Sequence, residues 1–103
     1  MNIVFEALAH PTRRAILELL KSGSKTAGEL ADAFEVSKPT MSGHFAKLRE
    51  AGLIHADQRG TTIFYSINLS TLEEVLLAFI GRMGFAPETG GTSGRIAKKG
   101  ETA

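Results

Sequence analysis

The chain has 103 residues, of which 43% are hydrophobic and 22% charged, and its formal net charge is +1. This length suits one domain with a modest core, and the composition is typical of a soluble globular protein. The absence of cysteine excludes disulfides, thiolate metal ligands and thiol nucleophiles. No apolar run approaches the roughly 18 residues of a membrane span, and no signal-peptide pattern opens the sequence. We therefore expect a cytoplasmic protein without membrane insertion.

The charges are unevenly placed along the chain. Residues 1–84 carry nine Lys or Arg and nine Asp or Glu, yet the stretch from Val36 to Arg49 has three basic residues and no acidic one. Placement matters more than net charge for binding a polyanion. The sequence therefore predicts a local basic face on a neutral domain.

Two helices are predicted at the start of the chain. The first is indicated by apolar residues at helical spacing, namely Met1, Val4, Phe5 and Leu8. The second begins at Pro11, which suits a first helical turn, and runs to Lys21. A Ser-Gly-Ser sequence at 22–24 then ends it.

The next two helices form the most informative pattern. Thr26 and Glu29 have the spacing of a capping box that opens a third helix. After a short turn, Ser37 caps a fourth helix that has Pro39 in its first turn and ends at Gly52. Two short helices joined by a tight turn, each with one apolar stripe, predict a helix-turn-helix.

A β-hairpin and a fifth helix are predicted to follow. Strand-like runs at 53–58 and 62–67 flank Arg59-Gly60-Thr61, whose tip would project as a wing. A second capping box, from Ser70 to Glu73, opens a helix that runs to about Met83. The predicted fold is mainly α with a small β-hairpin, a winged helix-turn-helix of order α-α-α-α-β-β-α over residues 1–84. We expect the Gly-rich segment 85–103 to be a disordered tail.

One face of the fourth helix has the chemistry of a nucleic-acid contact. Its hydroxyl, imidazole and amine groups can meet base edges and phosphates, although a solvated helix face is the alternative. Arg59 lies at the wing tip, and Arg13 opens the second helix, where a pair with Glu18 is possible instead. The candidate contacts to double-stranded DNA are Ser37, Lys38, Pro39, Thr40, Ser42, Gly43, His44, Lys47, Arg49, Arg59 and Arg13.

The terminal helices carry more apolar surface than one small domain readily covers. This excess predicts a homodimer with a self-complementary interface, the alternative being that both helices close the core of a monomer. The candidate interface residues are Val4, Phe5, Leu8, Leu72, Val75, Leu76, Phe79, Ile80 and Met83.

Several segments in the same order resemble the ArsR-type family of bacterial winged-helix repressors, over about residues 2–83. They are residues 10–17 (HPTRRAIL), 28–31 (GELA), 37–45 (SKPTMSGHF), 48–54 (LREAGLI) and 64–65 (FY). The metal-independent, SdpR-like branch is the most similar. The resemblance implies a homodimer that binds a palindromic operator and represses transcription, often of its own operon. Ser42 and His44 match the family's Ser-x-His element, which implies that His44 faces DNA or orients the helix and is not a metal ligand.

The chain departs from many members of that family. Where relatives bind metal through cysteines in the third helix, this chain has none, and its last helix offers only Glu73 and Glu74. We therefore expect no metal and no cofactor. The wing, with Gly60 directly after Arg59, is shorter and less basic than is common in the family.

Other functions remain open. One alternative is a winged-helix module that binds only proteins. Another is a regulator that responds to a metal or small molecule at an unrecognised site. An enzyme is not expected, because no nucleophile is paired with a base and no carboxylates converge. No group of residues in the sequence identifies the signal that would release the protein from DNA. Binding of a regulatory protein partner is one possible signal.

Overall fold

A computed structural model describes residues 2–85. Its elements are α1 (Asn2–Leu8), α2 (Pro11–Leu19), a 3-10 turn (Leu20–Ser22), β1 (Lys25–Thr26), α3 (Ala27–Asp32), α4 (Lys38–Glu50), β2 (Ile54–Arg59), β3 (Thr62–Ile67) and α5 (Leu69–Arg82). The five predicted helices and the hairpin are confirmed. The tail prediction from residue 86 onward lies outside the described residues.

The described residues fall into two compact units, the first as far as Leu72 and the second from Glu73. The first contains the helix-turn-helix and the whole sheet. The second contains α5 from Glu73, described as far as Phe85. Among the residues that the structure describes, no helix is long and apolar enough to cross a membrane.

The core of the first unit gathers large aliphatic side chains from its helices and from the segment that enters the hairpin. The largest fully buried residues are Ile16, Leu20, Leu30, Met41, Leu48 and Leu53. Leu30 comes from α3 and Met41 from α4, so the two helices of the helix-turn-helix share one core. Removing such side chains from water is the main favourable term that fixes these helices in place.

The start of α3 follows the predicted capping box. The Glu29 amide donates to Thr26 Oγ1 at 3.0 Å, and the Thr26 amide donates to Glu29 Oε1 at 2.9 Å. Thr26 also belongs to β1, which pairs antiparallel with β3 through the Cα partners Lys25–Tyr65 and Thr26–Phe64. The sheet therefore has three strands in the order β1-β3-β2, one more than the sequence predicts.

The end of α4 is a Schellman motif. Gly52 has a φ of 74°, its amide donates to the Arg49 carbonyl at 2.9 Å, and the Leu53 amide donates to the Leu48 carbonyl at 3.0 Å. Leu48 and Leu53, which this motif places side by side, are both fully buried. The predicted cap at Gly52 is thereby confirmed, and it turns the chain from α4 into β2.

Asn68 links the end of α4 to the start of α5. Its Nδ2 donates to the Gly52 carbonyl and to Thr71 Oγ1, both at 2.9 Å, and its Oδ1 lies 3.5 Å from the Thr71 amide. Helix α5 already begins at Leu69, so the predicted capping box opening at Ser70 is wrong. Asn68 supplies the local polar contacts instead, because Asn is among the preferred residues before a helix.

Candidate nucleic-acid interface

Helix α4 has one buried face and one exposed face. Ser37 caps it by accepting a hydrogen bond from the Thr40 amide at 3.3 Å, and Pro39 lies in the first turn, where its missing N–H costs nothing. The buried residues are Met41, His44, Phe45 and Leu48. The exposed positions include most of the predicted contacts, namely Ser37, Lys38, Pro39, Thr40, Ser42, Gly43, Lys47 and Arg49.

The exposed face of α4 is cationic and open. Lys38, Lys47 and Arg49 are exposed, and α4 has no acidic residue before its last one, Glu50. A Cβ at Gly43 would meet nothing within 4 Å, so the helix backbone is accessible there. Amine, guanidinium and hydroxyl groups are those that bind phosphates and base edges in a major groove.

His44 does not belong to this exposed face. Its side chain is 8% exposed, and its ring centroid lies 4.4 Å from that of His10. The prediction that His44 faces DNA is therefore wrong, and orientation of the helix is the role left to it. The physical reason is its position three residues after Met41 and four before Leu48, which places it on the core stripe.

Arg13 is engaged inside the protein. Its Nε donates to the Ala7 carbonyl at 2.7 Å and its Nη2 to the Glu6 carbonyl at 2.9 Å, while Nη1 lies 3.3 Å from His44 Nδ1. The structure shows these bonds in place of the alternative pair with Glu18, and the DNA contact of Arg13 stays a prediction. The guanidinium satisfies carbonyls in the last turn of α1, which have no partner within that helix.

The environment of His44 disfavours a proton on its ring. Burial lowers the pKa of His44 below its ordinary value of 6.5, and the nearby His10 and Arg13 lower it further. Each of these effects acts against the charged form, the first by desolvation and the others by repulsion. The ring is therefore neutral at neutral pH.

The hairpin tip carries a cation that has an acidic partner. Arg59 is the last residue of β2, and its Nη2 and Nε both lie 2.9 Å from Asp57 Oδ2. The guanidinium also stacks on Phe64, 4.9 Å from the ring centroid. The side chains of Arg59 and Asp57 are 68% and 61% exposed, so this ion pair is solvated and weak. Asp57 is not among the residues predicted from the sequence, although its spacing of two residues along a strand places it on the same face as Arg59.

No group of three His, Asp or Glu side chains within residues 2–85 is arranged to hold a metal ion. Glu73 and Glu74 are both exposed on α5. The whole chain also lacks cysteine, so it has no thiolate for a soft metal.

Helix α5 has no buried residue. Four of the predicted interface residues on it are exposed, namely Leu76, Phe79, Ile80 and Met83, and two are half-buried, namely Leu72 and Val75. On α1, Phe5 and Leu8 are half-buried. Val4 is only 3% exposed and belongs to the protomer's own core, so its prediction as a dimer contact is wrong.

Residues 8–56 match the family model for a helix-turn-helix domain. The chain is 46% identical over 74 residues to the transcriptional repressor SdpR of Bacillus subtilis, an alignment that covers 72% of this chain and 82% of that protein. It is 30% identical over 81 residues to the transcriptional activator HlyU of Vibrio cholerae, covering 79% and 74% of the two chains.

Solved structures show the same fold. The crystal structure of an ArsR family transcriptional regulator superposes with a TM-score of 0.75 at 32% identity, covering 81% of this chain and 90% of that one. The structure of HlyU from Vibrio cholerae gives a TM-score of 0.64 at 30% identity, covering 79% and 87%.

The helix-turn-helix, the hairpin that follows it and these similarities define a winged helix-turn-helix transcriptional regulator that binds double-stranded DNA. Its relatives are DNA-binding regulators, and the chain is not an enzyme. The chain belongs to the ArsR family of transcriptional regulators.

Proposed function

We propose that the chain is a cytoplasmic, homodimeric repressor that places α4 in the major groove of a palindromic operator, which can include that of its own gene. The exposed cationic face of α4 carries this proposal. Lys38, Lys47 and Arg49 are exposed cations that can contact phosphates, and the exposed Ser42 and Gly43 favour contacts with base edges. Ser37, Pro39 and Thr40 lie at the helix N-terminus, whose dipole favours a nearby phosphate.

The test is a titration of the protein against labelled duplex from upstream of its own gene, with random duplex as reference. We expect specific binding to exceed random binding by at least about a thousandfold near physiological salt. Titrations at about 50 mM and about 200 mM salt should show a steep loss of affinity, since binding releases counterions from the phosphates. Equal affinity for both duplexes would refute operator recognition.

Two variants separate a contact by α4 from a general charge effect. Lys47→Ala should weaken operator binding several-fold, because it removes a cation from the exposed face of α4. Lys21→Ala removes the same charge from the exposed 3-10 turn and serves as the matched control. An equal loss in both variants would mean that only net charge matters.

The homodimer is supported by the apolar surface of α5. Large apolar side chains are 38% to 58% exposed along it, namely Leu76, Leu77, Phe79, Ile80 and Met83. Exposed apolar surface of this extent is typical of an interface. A twofold dimer would present two copies of α4 at a spacing of roughly 34 Å, which matches successive major grooves and requires a palindrome.

Light scattering at micromolar concentration tests the dimer. The wild-type protein should have the mass of two chains, and Met83→Glu should shift it toward one chain by burying a carboxylate in the interface. Ala33→Glu, which adds the same charge at an exposed position after α3, should leave the mass unchanged. A monomeric wild type would contradict the proposal.

The sign of regulation requires a functional assay, because SdpR is named a repressor and HlyU an activator. We expect repression: transcription in vitro from the chain's own upstream region should fall when the protein is added at concentrations that saturate the operator. An increase in transcript would establish activation. Release of the operator through capture of the repressor by a regulatory protein stays a prediction.

A further inference from the structure

Three side chains meet where the start of α2 contacts α4. His10 precedes α2, Arg13 lies in its first turn, and His44 lies at the middle of α4. The two imidazole centroids are 4.4 Å apart, and Arg13 Nη1 lies 3.3 Å from His44 Nδ1. We call these three residues the histidine–arginine cluster. His44 is buried, Arg13 is half-buried and His10 is exposed.

The cluster ties three helices together. Arg13 also donates to the carbonyls of Glu6 and Ala7, so one guanidinium connects the end of α1 with α2 and α4. Helix α1 packs directly against α4. Arg13 therefore adds polar bonds between these helices to the apolar core contacts that hold α4 in the first unit.

Both imidazoles use Nδ1 as a hydrogen-bond acceptor. Arginine has donors only, so His44 Nδ1 must accept from Arg13 Nη1, and the His44 ring proton must reside on Nε2. His10 Nδ1 accepts from the Thr12 amide at 3.1 Å and thereby caps α2. A second proton on either ring can bind only at Nδ1, the atom already engaged as an acceptor.

The charged groups around His44 all act in one direction. Arg13 and His10 on the α2 side, together with burial, lower the pKa of His44. The only titratable side chain of α1 is that of Glu6, which is exposed. Only the backbone carbonyl of Glu6 contacts Arg13, as a hydrogen-bond acceptor. On α4 the next cation is Lys47, and the titratable residues of β2, namely His55, Asp57 and Arg59, are exposed. No acidic group is positioned to hold a proton on His44 among the residues described.

We propose that the histidine–arginine cluster is a proton-sensitive clamp on α4: with neutral imidazoles it holds α4 in the DNA-binding orientation, and protonation at Nδ1 breaks it and releases the operator. The inference rests on the proposed contact between α4 and DNA. It makes Arg13 and His44 positioning residues, since His44 is buried and Arg13 directs its hydrogen bonds into the protein. A mildly acidic cytoplasm would then relieve repression without metal or cysteine.

The sign of the pH effect separates this clamp from a direct contact. A histidine that faces phosphate gains a positive charge on acidification and binds DNA more tightly. Protonation of the clamp instead removes the hydrogen bond from Arg13 and brings like charges together. Operator affinity must therefore fall as the pH decreases.

The experiment is a fluorescence anisotropy titration of the dimer with its operator duplex between about pH 7.5 and about pH 5.5, at fixed salt. We expect affinity to fall on the order of tenfold, since each protomer carries one His44, whose pKa lies below its ordinary value and which takes up a proton on acidification. His10→Asn/His44→Asn is the key variant, because Asn Oδ1 replaces Nδ1 as an acceptor without titrating and is a preferred N-cap. This variant should bind with nearly constant affinity over the same range. His55→Asn, at an exposed position on β2, should retain the wild-type pH dependence.

Several results would overturn the clamp. A wild-type affinity that stays constant or rises on acidification excludes it, and so does an equal loss in the double Asn variant. A second measurement needs no variant: the ¹⁵N chemical shifts of the wild-type imidazoles at about pH 7.5 must show His44 as the Nε2–H tautomer. The Nδ1–H tautomer would also refute the clamp. If no specific operator binding occurs at about pH 7.5, the proposed function itself fails, which is a different result from pH-independent operator binding.

Discussion

Substitution of Gly52 by alanine tests how α4 ends. Gly52 has a φ of 74°, in the left-handed region, where a residue with a Cβ costs about 1–2 kcal/mol. The added Cβ would lie 3.8 Å from the Thr71 side chain, an ordinary van der Waals contact, so only backbone strain is added. Gly52→Ala should therefore lower the free energy of unfolding by about 1–2 kcal/mol.

The same substitution in the middle of α4 should have the opposite sign. Gly43 has helical backbone, and a Cβ there meets nothing within 4 Å. Gly43→Ala should raise the free energy of unfolding by about 1 kcal/mol through helix propensity. One chemical change at two positions of one helix should therefore give variants that differ by about 2–3 kcal/mol.

Thermal denaturation followed by circular dichroism measures both variants at one protein concentration, since the stability of the proposed dimer would depend on concentration. A change of 1 kcal/mol corresponds to a shift of about 4–8 °C for a domain of this size. Gly52→Ala should melt below the wild type and Gly43→Ala above it. A Gly52→Ala variant as stable as the wild type would refute the assignment of strain to this turn.

Three further predictions concern a cap, the wing and acid stability. Thr26→Ala should lower thermal stability by about 1 kcal/mol by removing half of the capping box of α3, whereas Thr61→Ala at the exposed hairpin tip should not. Asp57→Asn should release Arg59 for phosphate and steepen the log–log salt slope of DNA binding by about 0.9 per protomer, and an unchanged slope would contradict this. The pKa of His44 is lower in the folded chain than in the unfolded chain, so on acidification the unfolded chain binds this proton first. The contribution of neutral His44 to stability is therefore complete above the ordinary pKa of 6.5, and it is lost as the pH falls through the lower folded-state pKa. Urea midpoints of the wild type should therefore fall on acidification more than those of His44→Asn.

The parts of the fold that depend on neighbouring residues follow directly from the sequence. The capping box at Thr26, the cap at Ser37 and the left-handed glycine at Gly52 are all found where the spacing predicts them. Each is a hydrogen bond or backbone preference that acts within a few residues. Tertiary contacts do not need to be known to predict them.

The errors at the candidate site arise from contacts between distant segments. The spacing of His44 to Thr40 and Lys47 favours an exposed stripe, while its spacing to Met41 and Leu48 favours the buried one. The packing of α2 on α4 decides between them, because Arg13, 31 residues earlier, contacts His44. The two-residue strand β1 is too short for any periodicity, and only pairing with β3 defines it. Asn68 acts through the Gly52 carbonyl, which lies 16 residues away. Such pairings depend on the complete fold, so local patterns do not encode them.

The bonds from α2 to the end of α1 also determine the order in which structure is lost. Helix α1 has seven residues, fewer than an isolated helix needs to persist in water. Its last carbonyls are held by Arg13 and, at 2.7 Å from Leu8, by Arg14. Its folding is therefore cooperative with the docking of α2, and any opening that breaks these bonds should unfold α1 locally while the rest of the first unit stays folded. Amide exchange should register this opening in α1 before it reaches the buried turns of α4.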